Sequence, residues 1–181
     1  MTKKKKTGKA LFLDRDGVIN RRLPGDYVKT WKEFDFLPGT LRALGLLRPY
    51  FDRILVVTNQ QGIGKGKMTE ADLANIHRNM KKVIRKSGGH IDRVYHCPDL
   101  ESRQANCRKP NPDMGKWAKA DFPEIDFDRS VMVGDTDMDL LFGKNLGMTT
   151  ILIAASPAGS KDLAEHSFRD LMDFYLNFVK K

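Results

Sequence analysis

The chain has 181 residues and a formal net charge of +9, with 40% hydrophobic and 30% charged residues. No apolar run approaches the ~20 residues that span a bilayer, which argues against a membrane protein, and two cysteines are too few for a disulfide-scaffolded fold. This length suits one domain with a sizeable core, expected to be monomeric and cytoplasmic, since no signal-peptide core follows the basic opening "MTKKKKTGKA".

Residues 1–9 read as a basic, solvated tail, with a single domain over residues 10–181. Apolar runs predict strands at Ala10–Leu13, Arg53–Val57, Ile91–His96, Ser130–Val133 and Thr149–Ile153. After Pro38-Gly39, Leu41, Leu44 and Leu47 share a helical face that Pro49 ends. Thr69 caps an amphipathic helix with Glu70 and Asp72 in its first turn, which runs to about Lys86 and stops at Gly88-Gly89. Further helices are expected from Pro112 to about Ala120, from Asp137 to about Leu146, and along the C-terminal "KDLAEHSFRDLMDFYLNFVKK". There Leu171, Phe174, Tyr175 and Phe178 make a core-facing stripe. His77 falls on a helix and is read as a surface residue. Strands alternating with helices predict an α/β fold, a Rossmann-like doubly wound parallel sheet with helices on both faces.

In such folds the ligand crevice lies beyond the carboxyl ends of the strands, and polar residues gather there. The first strand runs into Asp14 and Asp16, the second into Thr58 and Asn59, and the fourth into Asp135 and Asp139. "CRKPNPDM" sets Arg108 and Lys109 before a helix. Two residues apart in an extended chain, Asp14 and Asp16 point to one side, and such a pair calls for a cation, a shared proton or a substrate between the like charges. Asp14, Asp16 and Asp135 offer the oxygen ligands that Mg²⁺ prefers. One aspartate can attack phosphorus while another moves the proton, with Lys109 and Thr58 stabilising the phosphoryl oxygens. These residues alone leave open which of Asp14 and Asp16 attacks. The pattern reads as phosphoryl transfer, with Asn59 as a substrate contact.

"LDRDGVIN", "VVTNQ", the lysine of "CRKP" and "VGDTDMD" resemble, in order, the motifs of the haloacid dehalogenase superfamily of phosphotransferases, from about Ala10 to Ile153. The resemblance implies that Asp14 is the nucleophile and Asp16 the general acid/base. It also implies that Thr58 and Lys109 hold the phosphoryl group and that Asp135 completes a Mg²⁺ site with Asp14 and the Asp16 carbonyl. Asp139 takes a supporting place, and Arg108 binds a distal part of the substrate. The stretches between motifs are too short for a separate cap domain. Loops at Asp26–Phe36 and Pro98–Asn106 are therefore expected to select the substrate. "QQGIGKGK" lacks the spacing of a Walker loop and reads as a bend toward the phosphate, to which Lys65 or Lys67 adds charge.

Within the superfamily, these motifs are most similar to the group of D-glycero-D-manno-heptose-1,7-bisphosphate 7-phosphatases and histidinol-phosphatases. That group carries a C-x-H…C-x-C zinc loop, whose positions here are Cys97, Asp99, Ala105 and Cys107. Cys97, Asp99 and Cys107, with His96 nearby, are read as a remnant without Zn²⁺. The implied function is a Mg²⁺-dependent phosphomonoester hydrolase acting on a small phosphorylated metabolite, the heptose bisphosphate first and histidinol phosphate second. A polynucleotide 3′-phosphatase is a third reading, since "TNQQGIGKGK" and "RKP" resemble that class too. No aromatic-interleaved basic patch supports a nucleic-acid partner.

Overall fold

The computed structural model describes residues 7–153 and 162–180. Its strands are β1 (Ala10–Leu13), β2 (Arg53–Asn59), β3 (Arg93–Cys97), β4 (Val131–Gly134), β5 (Thr149–Ile153) and β6 (His166–Phe168). Its α-helices are α1 (Thr40–Leu47), α2 (Glu70–Lys86), α3 (Asp113–Asp121), α4 (Asp137–Asn145) and α5 (Leu171–Phe174), the last widening into a π-helical turn over Tyr175–Val179. The strands form one sheet in the order β3-β2-β1-β4-β5-β6, and every pairing is parallel.

Parallel strands need crossovers, and the helices that provide them cover both faces, so the strands are apolar on both sides. All four residues of β1 are buried. Leu11 and Leu13 pack with Leu44, Ile76 and Phe174 from α1, α2 and α5. Ala10 and Phe12 pack on the opposite face with Met114 and Phe142 from α3 and α4. The expected Thr69 cap is present: its hydroxyl accepts from the Asp72 N–H at 3.1 Å, and the Asp72 carboxylate accepts from the Thr69 N–H at 2.9 Å. β1 lies between β2 and β4, where the strand order reverses and the carboxyl ends open into a crevice.

Two expectations change. The C-terminal segment is not helical throughout: β6 adds a strand at the sheet edge before α5 begins. The stripe of Leu171, Phe174, Tyr175 and Phe178 packs into or against the core as expected. Part of the presumed tail belongs to the fold. Asp52 accepts from the Thr7 and Gly8 N–H groups at 2.5 and 2.8 Å and donates its own N–H to Lys9 O at 2.8 Å; residues 1–6 lie outside the described residues. The segment after β1 is pinched at its base by Arg21 N–H donating to Asp35 O at 2.8 Å. Trp31, Phe34 and Phe36 then pack on one another, with Trp31–Phe34 and Phe34–Phe36 ring centroids 5.1 and 4.9 Å apart. This leaves the tip of the segment to wall the crevice.

Candidate active site

Asp14 is the first residue past β1, and its N–H still donates to Val133 O in β4 at 2.9 Å. The backbone is thus fixed where the buried carboxylate leaves the sheet. Lys109 arrives from the loop before α3 and uses its three N–H bonds on fixed acceptors. Nζ lies 2.7 Å from Asp14 Oδ1, 2.5 Å from Asp139 Oδ1 and 2.7 Å from Val57 O. Burial alone would lower the Lys109 pKa, but Asp139 and Asp14 hold it above its ordinary value, so the ammonium stays charged. Burial pushes the Asp14 carboxyl up to about 7. Lys109 pulls against that shift, while Asp139, Asp135 and Asp16 push the same way.

Asp16 sits in a different field. Burial would raise its pKa, yet the Arg15 guanidinium and hydrogen bonds from Arg15, Asn20 and Gln60 bring it below the ordinary carboxylate range. Arg15 Nη2 lies 2.9 Å from both carboxylate oxygens, Asn20 Nδ2 donates to Oδ1 at 2.9 Å and Gln60 Nε2 to Oδ2 at 2.8 Å. Arg15 is fully buried. Its Nη1 lies 3.2 Å from His77 Nε2, and a guanidinium only donates, so Nε2 accepts and the imidazole is neutral with its proton on Nδ1. Burial and the Arg15 charge hold the His77 pKa down to about 3. The surface reading of His77 is therefore corrected: it is buried and orients the arginine that holds Asp16.

Asp135 follows β4 beside Gly17, where a Cβ would meet the Asp135 carboxylate at 2.0 Å, and φ at Gly17 is +99°. Only glycine lets the backbone after Asp16 approach Asp135 this closely. Burial raises the Asp135 pKa to about 6; Arg22 lowers it and Asp139 adds to the rise. Asp139 Oδ2 caps the start of α4, accepting from Thr136 N–H at 3.0 Å and Thr136 Oγ1 at 2.6 Å, while its Oδ1 faces Lys109.

The cluster is short of positive charge, and its oxygens suit a hard divalent cation. Asp14 and Asp135 offer carboxylates, Asp16 its backbone carbonyl, and one cationic group already bridges all three. Arg22 Nη2 lies 2.7 Å from Asp135 Oδ1, 2.9 Å from Asp16 O and 3.8 Å from Asp14 Oδ2. A guanidinium stands in here for a metal ion, so the donor set fits one.

Thr58 is buried at the end of β2, its hydroxyl accepting from Gln60 Nε2 at 2.8 Å and its own proton free to turn toward the crevice. Asn59 brackets Lys109: its Oδ1 accepts from Lys109 N–H at 2.9 Å and its Nδ2 donates to Lys109 O at 3.2 Å. Its side chain therefore first positions the lysine loop, although Asn59 also lines the cavity. Arg108 lines the same cavity, and its buried Nη1 has no hydrogen-bond partner. The cavity, of about 460 Å³, joins Asp14, Asp16, Thr58 and Lys109 to a wall formed by Arg22–Val28, with Lys65 at its side.

The specificity loops match expectation in part, since Asp26, Tyr27 and Val28 of the first loop line the cavity. The wall comes from the tip of the first loop, upstream of the aromatic cluster, and no residue of Pro98–Asn106 lines the cavity among the described residues. Cys97 and Cys107 are joined in a disulfide, which leaves no thiolate pair for Zn²⁺. Asp99 Oδ2 accepts from the Cys107 N–H at 3.0 Å, and His96 turns to Glu70 at 2.9 Å on α2. In "QQGIGKGK" the glycines permit close approach: a Cβ at Gly62 would meet Tyr27 Cγ at 2.9 Å, and one at Gly64 would meet Pro98 O at 2.6 Å. Lys65 and Lys67 lie over the Tyr27 ring at 5.6 and 5.5 Å. Arg15 and Arg22 were not singled out by sequence reasoning. Arg15 stands between the two motif aspartates, and that placement was the available signal; nothing local marks Arg22.

A HAD-hydrolase-like family model matches residues 106–174. A D-glycero-alpha-D-manno-heptose-1,7-bisphosphate 7-phosphatase of Mycobacterium tuberculosis (strain ATCC 25618 / H37Rv) is 40% identical over 91% of this chain and 88% of its own length. One from Campylobacter jejuni is 35% identical over 96% of each chain. A beta-anomer 7-phosphatase from Neisseria meningitidis serogroup B is 32% identical over 92% of each. Among solved structures, the D,D-heptose 1,7-bisphosphate phosphatase from B. bronchiseptica, complexed with magnesium and phosphate, superposes with a TM-score of 0.85 at 28% identity. That match covers 95% of this chain and 98% of the other.

Proposed function

Since the chain belongs to the haloacid dehalogenase-like phosphatases, we propose that it removes the 7-phosphate of D-glycero-D-manno-heptose 1,7-bisphosphate through an aspartyl-phosphate on Asp14. The observation that carries this reading is the Lys109–Asp14 contact of 2.7 Å beneath a cavity that Arg108 also lines. A bisphosphate has one phosphoryl group to react and one to be held, and these two cations serve those ends.

Asp14, Asp135 and the Asp16 carbonyl would hold Mg²⁺, which would neutralise the carboxylates and polarise a phosphoryl oxygen. In the first step an Asp14 carboxylate oxygen bonds to phosphorus while the bond from phosphorus to the sugar oxygen breaks. The leaving alkoxide takes its proton from Asp16. In the free site Asp16 is held as a carboxylate, and the charge of a phosphate bound beside it raises its proton affinity, readying it as the acid. The Lys109 charge, held directly behind Asp14, and the Thr58 hydroxyl stabilise the phosphoryl oxygens. Asp16, now deprotonated, accepts the proton of a water that attacks the phosphorus. The acyl phosphate bond then breaks, releasing inorganic phosphate and restoring Asp14.

The test is phosphate release with Mg²⁺ from both anomers of the heptose bisphosphate, histidinol phosphate and a 3′-phosphorylated oligonucleotide. One phosphate per heptose bisphosphate is expected at the highest kcat/KM, the α-anomer leading, and Asp14→Asn is expected to abolish it. Preference for histidinol phosphate or DNA would overturn the substrate. Undiminished turnover by Asp14→Asn would overturn the nucleophile.

A further inference from the structure

The Arg22 guanidinium is seated where a divalent cation would sit. A single nitrogen, Nη2, touches the Asp135 carboxylate at 2.7 Å and the Asp16 carbonyl at 2.9 Å, and it lies 3.8 Å from the Asp14 carboxylate. A Mg²⁺ ion takes such oxygens at ~2.0–2.1 Å and completes an octahedron with water. Nη2 and an ion bound to the same oxygens would crowd one volume with like charge. The two occupants exclude one another.

Arg22 is also built to leave. Its side chain is 48% exposed and sits just past the Arg21–Asp35 pinch, between β1 and the aromatic cluster. Lys109, the cation on the opposite side of Asp14, has a 2% exposed side chain and is held by three acceptors. One cation is therefore fixed on the inner side of Asp14, and the other is hinged on the outer side. Arg22 also lines the cavity, so a guanidinium leaving the oxygen cage stays within the chamber that receives the substrate.

We propose that Arg22 is an internal counter-cation that competes with the divalent metal for the Asp14–Asp16–Asp135 cage and, once displaced, binds the anionic substrate from the cavity wall. This rests on the reading of those oxygens as the metal site. It makes metal entry a precondition for a complete anion site, because the same guanidinium serves the empty cage and the loaded cavity in turn. The oxygen cage keeps a positive neighbour when no ion is bound, at the cost of weaker metal affinity.

The test measures Mg²⁺ and Mn²⁺ binding to the full chain without substrate, by calorimetry and by the Mn²⁺ electron paramagnetic resonance signal. The variants are Arg22→Ala, Arg22→Gln and, as a control on the cage, Asp135→Asn. Both Arg22 variants are expected to bind the ions about tenfold more tightly, while Asp135→Asn binds them far more weakly. KM for the phosphorylated substrate at saturating Mg²⁺ is expected to rise several-fold in both Arg22 variants. Metal affinity and substrate affinity thus move in opposite directions, which general loosening of the loop would not produce. Unchanged or weakened metal binding in the Arg22 variants, with Asp135→Asn impaired, overturns the competition and leaves the metal site standing. Unaltered binding by Asp135→Asn overturns the metal site itself. An unchanged KM overturns the substrate role of the displaced side chain.

Discussion

Lys109 Nζ meets Asp14 Oδ1 at 2.7 Å across 95 residues of sequence, in a contact closed to solvent on both sides. The pair holds the carboxylate at the strand end in one orientation with its second oxygen turned toward the cavity. Asn59 fixes the lysine from behind by hydrogen-bonding its peptide on both sides. The geometry of the candidate site thus depends on a loop of the third crossover being pinned to the end of β2.

Replacing Lys109 by methionine keeps the side-chain length and removes the charge. Asp14 and Asp139 are left buried without their shared cation, and removing one partner from such a pair typically costs about 3–5 kcal/mol. Lys109→Met is expected to lower the unfolding free energy measured in urea by that amount and to reduce kcat at least ~100-fold. Lys109→Arg should not restore activity, because a planar fork cannot point three N–H bonds at acceptors 2.5–2.7 Å from one nitrogen. Full activity in the arginine variant would contradict this account.

The backbone at Gly17 can be probed by one methyl group. With φ at +99° and a Cβ position 2.0 Å from Asp135 Oδ2, Gly17→Ala must move either the loop or the carboxylate. Backbone strain of this kind costs about 1–3 kcal/mol. The variant is expected to be less stable by that amount and to bind Mn²⁺ at least several-fold more weakly than the parent, as read by titration calorimetry.

His77 makes stability depend on pH. Its folded pKa is held down to about 3 against an ordinary 6.5. As pH falls the unfolded chain takes up the proton first. The contribution is fully present above pH 6.5 and is lost progressively as pH drops toward 3. At about 1.4 kcal/mol per pH unit, roughly 2–3 kcal/mol is lost by pH 4.5. In urea unfolding, the parent should lose more stability than His77→Gln between pH 7 and 4.5, because glutamine keeps an acceptor for Arg15 without titrating. Parallel pH profiles would disprove the buried neutral imidazole.

The Cys97–Cys107 bridge closes a sequence separation of 10 immediately before Arg108. A loop of that size restricts the unfolded chain by about 2–3 kcal/mol. Cys107→Ser, or treatment of the parent with a dithiol, is expected to lower stability by that amount and to raise KM, because the loop leading into Arg108 gains slack. Alkylation followed by mass measurement should find no reactive thiol before reduction and two after it.

Most of the fold is legible in the chain because its signals are local. β1, β2, β4 and β5 are apolar runs followed by polar residues, and Thr69 announces α2 within one turn. β6 is missed because His166, Ser167 and Phe168 carry little apolar signal. That short edge strand is specified by its neighbour β5 and not by its own composition. Asp14, Asp16, Thr58, Lys109 and Asp135 are legible as a candidate site for the same reason as the strands, since each belongs to a short local motif.

What the sequence by itself determined is therefore the sheet, the crevice at its carboxyl edge and the set of acids and bases delivered there. Strand periodicity and strand-end chemistry act over a few residues, so one dimension contains them. The tertiary structure decided the partners: Arg15 on His77 across 62 residues, Arg22 on Asp135 across 113, and Cys97 on Cys107. Those pairings arise where crossovers bring distant loops together, and Coulomb and hydrogen-bond energies depend on separations in space, which sequence spacing does not encode.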